Sequence, residues 1–233
     1  MEFKLWRRCF SDRIRWTIRE HRNPLRTRTF HLGGREYPYF FHPYNHTWAN
    51  ERAVEIPYVR EFLGKASPST TLEVGNVLSH YFDIGHTVID KWERCTYRPV
   101  LNQDLLAFRP GRRFDVIVSI STIEHVGWDE RPRQQESVIT ALRKVQALLT
   151  PDGKALVTIP VGYNQYLDQK LPDVLSETVS VECLKRISRD NEWVEVDLVE
   201  SLACKYDTPF RNANSVVFLR MSRGTDKTGE EDG

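Results

Sequence analysis

The sequence predicts an α/β protein built on a doubly wound, mostly parallel sheet. Three observations carry that expectation. From residue 70 onward, short β-rich runs alternate with helical patterns. Strands joined through helices lie side by side and parallel. The run from Phe114 to Ile120 is almost continuously apolar between charged flanks, as a strand buried on both faces should be. Finally, 233 residues with 40% hydrophobic and 28% charged side chains suit one sizeable folded domain. That balance excludes a collagen, a disordered chain and a membrane bundle. No run approaches the ~18 apolar residues of a spanning helix. Residues 1–10 carry charges and no sustained apolar stretch, so no secretory signal is expected there.

Residues 3–19 place Phe3, Trp6, Phe10, Ile14 and Thr17 at three- and four-residue spacing, one apolar helical face with arginines on the others. Binding to a membrane surface and packing against the body both fit that pattern. Residues 1–36 hold ten Lys/Arg and four acids, a charge of +6 in a chain of net charge +1. This basic arm points to an anionic partner without naming it. Residues 37–48 are aromatic and broken by Pro38 and Pro43, which predicts a loop covering something apolar. Thr47 is a candidate cap for a helix over residues 48–63, kinked at Pro57 and stopped by Gly64. Residues 37–66 thus form a cap segment ahead of a domain over 67–222, with a polar, disordered tail at 223–233. Within the domain, strands are expected at 71–74, 88–90, 99–102, 114–120, 154–159, 193–199 and 215–221. Helices are expected at 133–149 and 179–188, with a turn at Pro151-Asp152-Gly153.

In such a sheet, ligands sit beyond the carboxyl ends of the strands, near the point where strand order reverses. Glu73 and Gly75 end the first strand, Asp90 the second, and Asp104 follows the third. The fourth runs out through Ser119, Ser121, Glu124 and His125, and the fifth through Tyr163 and Asn164. Three acids at three successive strand ends suit a ligand with hydroxyls and amines. The four cysteines, Cys9, Cys95, Cys183 and Cys204, are too far apart for a CxxC motif. They read as reduced thiols of a cytosolic protein, and no spacing marks a metal site.

These residues resemble the class I S-adenosylmethionine-dependent methyltransferases over residues 50–222. Leu72-Glu73-Val74-Gly75-Asn76 is similar to the family's first motif, Val88-Ile89-Asp90 to its second strand, and Asn102-Gln103-Asp104 to its adenine-binding segment. More specific are the fourth strand with Ile123-Glu124-His125-Val126, and the stretch from Leu148 to Pro160 with its Pro-x-Gly turn. The resemblance implies a Rossmann-like seven-stranded sheet with an α-helical, aromatic N-terminal cap. It implies S-adenosyl-L-methionine as cofactor and S-adenosyl-L-homocysteine as product, held by Glu73, Gly75, Asn76, Asp90, Asp104, Ser119 and Ser121. One departure stands out: where the family repeats glycine, this chain has Val77 and Ser79. A β-branched Val77 is expected to push toward the methionine moiety or to reshape the loop.

Methyl transfer needs alignment and exclusion of water, and proximity supplies ~7–11 kcal/mol. A hydroxyl acceptor also needs a base, for which histidine is suited. His125 is the candidate base, with Glu124 as its orienter or as an alternative base. His42, Tyr44, His46, Trp48, Trp128, Tyr163 and Asn164 are candidate acceptor contacts, with Glu51, Arg52, Glu55 and Asp168 among their polar neighbours. Aromatics beside amides and carboxylates suit a small molecule or glycan, and O-methylation of a sugar or related metabolite is the expected reaction. Near-neutral charge and no basic stripe in the body disfavour nucleic acid. A binding or scaffold protein with a degenerate glycine loop, and a nucleic-acid methyltransferase, are the alternatives. The expected location is cytoplasmic, with peripheral membrane contact through the arm left open.

Overall fold

The structure, a computed structural model, describes residues 24–94 and 99–223. The expected arm helix at 3–19 and the tail from residue 224 lie outside the described residues. A seven-stranded sheet forms the centre, in the order β4-β3-β5-β6-β9-β7-β8. Its strands are β3 (Thr71–Val74), β4 (Thr87–Ile89), β5 (Phe114–Ile120), β6 (Leu149–Pro160), β7 (Val179–Arg186), β8 (Trp193–Val196) and β9 (Ser215–Ser222). The β3–β4, β3–β5 and β5–β6 pairs are parallel. β9 runs antiparallel to both β6 and β7, and β8 antiparallel to β7. Five strands therefore point one way, as the sequence leads one to expect.

Each face of the sheet buries its own apolar layer. On one face, helices α2 (Ser137–Ala147) and α3 (Gln165–Val174) press Val138, Ala141, Leu142, Val145, Leu167 and Leu171 against Ile117, Val157 and Leu219. On the other, helix α1 (Arg52–Leu63) and the hairpin β1 (Thr29–Leu32) with β2 (Arg35–Pro38) cover Val116, Val118, Ile120 and Phe218. β5 alternates between these layers, which is why its sequence reads apolar throughout. Burying each such Val, Ile or Leu is worth about 1.5–3 kcal/mol. The hairpin spans residue 36, where the basic arm was expected to end; Phe30 and Leu32 on its inner face and Leu25 just before it are buried.

Several expected elements differ. Residues 179–188 were expected as a helix, but Val179–Arg186 is strand β7, clamped between β9 and β8. Residues 99–102 form no strand; only Leu101 bridges to Ile89. The expected strand at 193–199 ends at Val196, and α4 (Leu198–Leu202) follows, capped by Asp197 Oδ1 accepting from Glu200 N. Helix α1 begins at Arg52 rather than near Trp48, because Asn50 is extended at φ −147° and ψ −176° and separates it from the 3-10 turn Tyr44–Ala49. Thr47 caps nothing: its hydroxyl accepts from His42 N–H and donates to the Phe40 carbonyl. Gly64 ends α1 at φ +48°, as anticipated. The helix α3 was not anticipated. Among the described residues, no helix is long and apolar enough to cross a membrane.

Candidate active site

The chain runs outward from β3 to β4 and returns to β5 on the other side of β3. At that reversal point, a cleft of about 970 Å³ opens beyond the strand ends. Val74, Gly75, Ile89, Asp90, Asp104 and His125 line it, together with Lys91, Trp92, Glu93, Thr122, Asp129 and Glu130. Small-molecule sites typically span ~300–1,000 Å³ with a few convergent polar groups.

Each side of the cleft is shaped by local chemistry. Gly75 sits at φ +87°, and a Cβ there would fall 2.2 Å from Thr122 Oγ1. Only glycine lets β3 leave the sheet so close to the loop after β5. Glu73, fully buried, accepts at Oε1 from the Val77 and Leu78 N–H groups, at 2.9 and 2.8 Å. Its Oε2 lies 2.8 Å from His86 Nε2. Glu73 therefore builds the loop and does not face the cleft. Val77 takes an ordinary right-handed conformation and packs with Phe40, Tyr81 and Phe82 against the core. The missing glycines have thus been replaced by a tight 3-10 turn at Leu78–His80, and Val77 does not project into the cleft.

Asp90 accepts from three backbone N–H groups, Asn76 at 3.1 Å, Trp92 at 2.8 Å and Glu93 at 2.7 Å. A carboxylate offers about four acceptor positions, so one is left toward the cleft. Asp104 accepts from Leu106 N–H at 2.8 Å and pairs with Lys91 Nζ at 2.8 Å. Burial works to raise its carboxyl, but these two partners outweigh it and hold it below the usual range. Lys91 Nζ also meets Glu130 Oε1 at 2.5 Å, tying the loop after β5 to the loop after β4. Trp92 beside it is 77% exposed.

On the opposite side, His125 Nδ1 lies 2.6 Å from Asp129 Oδ2, and its Nε2 lies 3.6 Å from Glu124 Oε1. The Tyr163 hydroxyl donates to the same Asp129 carboxylate at 2.9 Å. Burial, and then Asp129, push that phenol up. The rings of His125 and Tyr163 meet at 4.6 Å. Asn164 caps α3 by accepting from Leu167 N–H and donates to the Glu124 carbonyl at 2.8 Å, which joins the loops after β5 and β6.

The structure brings Gly75, Asp90, Asp104 and His125 together around the cleft, with Tyr163 beside His125. Other sequence candidates do structural work nearby. Asn76 donates to Glu93 Oε1, Ser119 to the Val74 carbonyl and Ser121 to Glu55 Oε1. Arg133 covers Trp128 at 3.8 Å, Tyr44 stacks on His80 at 4.2 Å, His42 packs edge-on to Tyr81, and His46 edge-on to Trp48. None of Trp128, Tyr44, His42, His46 or Trp48 lines the cleft. Residue-by-residue reading missed Asp129 and Lys91. For Asp129 a signal existed, an acid four residues after His125 on the same turn.

No family model matches the chain, and no curated protein does. Among solved structures, it is similar to the N-methyltransferase NodS from Bradyrhizobium japonicum WM9 in complex with S-adenosyl-L-homocysteine. The identity is 15%, over 72% of this chain and 84% of that one, with a TM-score of 0.46. For the sugar N-methyltransferase KedS8 from Streptoalloteichus, the values are 14%, 74%, 88% and 0.39. For an rRNA methylase from Streptococcus thermophilus they are 6%, 72%, 96% and 0.44. Strand order, strand polarity and the cleft at the reversal point give this chain the Rossmann-like fold of the class I methyltransferases.

Proposed function

We propose that the chain transfers a methyl group from S-adenosylmethionine to a small polar acceptor, such as a sugar, a glycan or a related metabolite. The cleft at the strand-order reversal carries this reading, with Asp90 and Asp104 on one side and His125 on the other. The residues present fit the cofactor. The Gly75 backbone is bare where a side chain would collide, Asp90 keeps one acceptor position for a ribose hydroxyl, and Asp104 faces the same cleft for an adenine amine. Bound there, S-adenosylmethionine supplies an electrophilic methyl group on a sulfonium.

The protein's own part is to orient the acceptor and move a proton. Asp129 accepts from His125 Nδ1–H, which leaves Nε2 as the proton-accepting nitrogen. The Tyr163 hydroxyl donates to the same Asp129 oxygen, so the imidazole is held by both at the mouth of the cleft. A base placed this way contributes ~10²–10⁴-fold. The sequence suggests a hydroxyl acceptor, and whether oxygen or nitrogen takes the methyl group depends on the charge around it. Calorimetric titration with S-adenosylhomocysteine tests the reading: one equivalent should bind. A folded protein that binds none would be a scaffold with a decayed loop.

A further inference from the structure

The cleft does not end at His125. A side cavity of about 530 Å³ adjoins it, lined by Trp128, Asp129, Glu130, Arg131 and Arg133. Asp129, Glu130 and Arg131 line both spaces, so the two share one wall. That wall is the loop after β5, and its own chain fixes it. The Gln134 N–H donates to the Gly127 carbonyl at 2.8 Å and closes the loop at its base. Gly127 sits at φ +72°, and a Cβ there would fall 2.2 Å from the Gln134 carbonyl oxygen, so glycine is what permits the closure. Within the loop, Arg133 Nε donates to the Trp128 carbonyl at 2.9 Å, and the guanidinium covers the Trp128 ring at 3.8 Å.

The acids along the two cavities all have partners. Asp90 accepts from backbone N–H groups, and Glu93 accepts from Asn76 Nδ2 at 2.9 Å and meets His80 Nε2 at 2.8 Å. Asp104 and Glu130 share Lys91, while Asp129 holds His125 and Tyr163. Arg131 differs. It is exposed on the shared wall, and among the described residues its guanidinium has neither an ion pair nor a hydrogen bond. Arg133 beside it uses only Nε of its five N–H donors. Acids outnumber bases along this wall, yet the charge left without a direct partner is positive. A guanidinium offers a planar fork of donors that matches a carboxylate or a phosphate.

We propose that the acceptor carries an oxyanion, a carboxylate or a phosphate, and that Arg131, assisted by Arg133, holds it where the side cavity joins the cleft. The proposal rests on the methyl-transfer reading above and narrows its acceptor to acidic sugars and related anionic metabolites. Arg131 and His125 line the same cleft on the same loop, so an acceptor lying along that wall runs from its anchor to the base. Because Lys91 engages Glu130, and His125 and Tyr163 engage Asp129, the uncommitted groups that the oxyanion meets are the two guanidinium forks. Arg131 is thereby a specificity residue: it touches the acceptor far from the atom that receives the methyl group.

The test uses the full chain saturated with S-adenosylhomocysteine, titrated at one ionic strength with glucuronate, glucose-6-phosphate and glucose. At least one of the two anions should bind at least about tenfold more tightly than glucose. Glucuronate alone doing so assigns a carboxylate, and glucose-6-phosphate alone a phosphate. Arg131→Gln should bring the preference down to about twofold or less, whereas Arg131→Lys, which keeps the charge and loses the fork, should retain part of it. Arg131 is exposed and unpaired among the described residues, so both variants should fold, with melting temperatures matching the wild type's. Equal affinity for the three sugars, no binding by either anion, or a preference that survives Arg131→Gln overturns the assignment. So does an Arg131→Gln protein that loses S-adenosylhomocysteine affinity and keeps the preference, since Arg131 would then serve the cofactor's own carboxylate. Failure of the methyl-transfer reading would appear earlier, as absent S-adenosylhomocysteine binding before any sugar is added.

Discussion

The two halves of the site treat their acids in opposite ways. On the β3–β4 side, Glu73 and Asp90 are each wrapped by backbone N–H groups from within a few residues or from the neighbouring loop, and Asp104 has Lys91. On the side of the loops after β5 and β6, Glu124 Oε2 and Asp168 Oδ1 have no partner at all. The first half is finished by its own chain and is preorganised for a ligand of fixed shape. The second leaves two buried carboxyl oxygens unpaired. An unfinished carboxyl costs stability.

The largest effect that would separate the halves is on turnover. His125→Ala should lower it by ~10²-fold or more, while S-adenosylhomocysteine affinity stays at the wild-type level. Steady-state rates set beside calorimetry decide this. If turnover drops only in step with cofactor affinity, His125 belongs to the cofactor wall and the division fails. A smaller effect is expected in the finished half. Asp90→Ala should weaken S-adenosylhomocysteine binding by about 1–3 kcal/mol, the scale of charge-assisted hydrogen bonds. Unchanged affinity would mean that the carboxylate serves only its own loop.

The smallest effect concerns stability. Asp168 accepts from Gly162 N–H, and burial raises its carboxyl to about 6 against that contact. As pH rises past ~4, the unfolded chain loses this proton first, so the folded state loses stability between there and about 6 and does not regain it above. Asp168→Asn keeps an acceptor for Gly162 without that penalty. Its melting temperature should exceed the wild type's at pH 8, by ~2–4 °C per kcal/mol recovered, and match it at pH 4. Equal melting temperatures at pH 8 would mean that the Asp168 carboxyl is hydrated after all.

How much was legible follows from where each contact comes from. β5 could be read because both of its faces are buried, a property of the strand itself. β7 could not: Val179, Cys183 and Leu184 fall at near-helical spacing, and only β9, more than thirty residues later, and β8 force that segment to be extended. α3 was hidden by Pro172, although Asn164 three residues before Leu167 was a cap signal. In the site, the acids at strand ends were visible because topology places strand ends together. The Glu55–Ser121 and Glu55–Thr158 contacts join α1 to β-strand ends 66 and 103 residues away, and no local pattern encodes them.

The placement of β9 bears on how the molecule is made. This strand pairs with β6 on one side and β7 on the other, yet it is synthesised after both. Until it emerges from the ribosome, two long strands wait with bare edges, the configuration most prone to pairing with a neighbouring chain. Assembly of the sheet is therefore gated by residues 215–222. A nascent chain stalled just short of them would hold a finished cofactor half beside a split sheet, and would be a substrate for chaperones rather than a partly working enzyme.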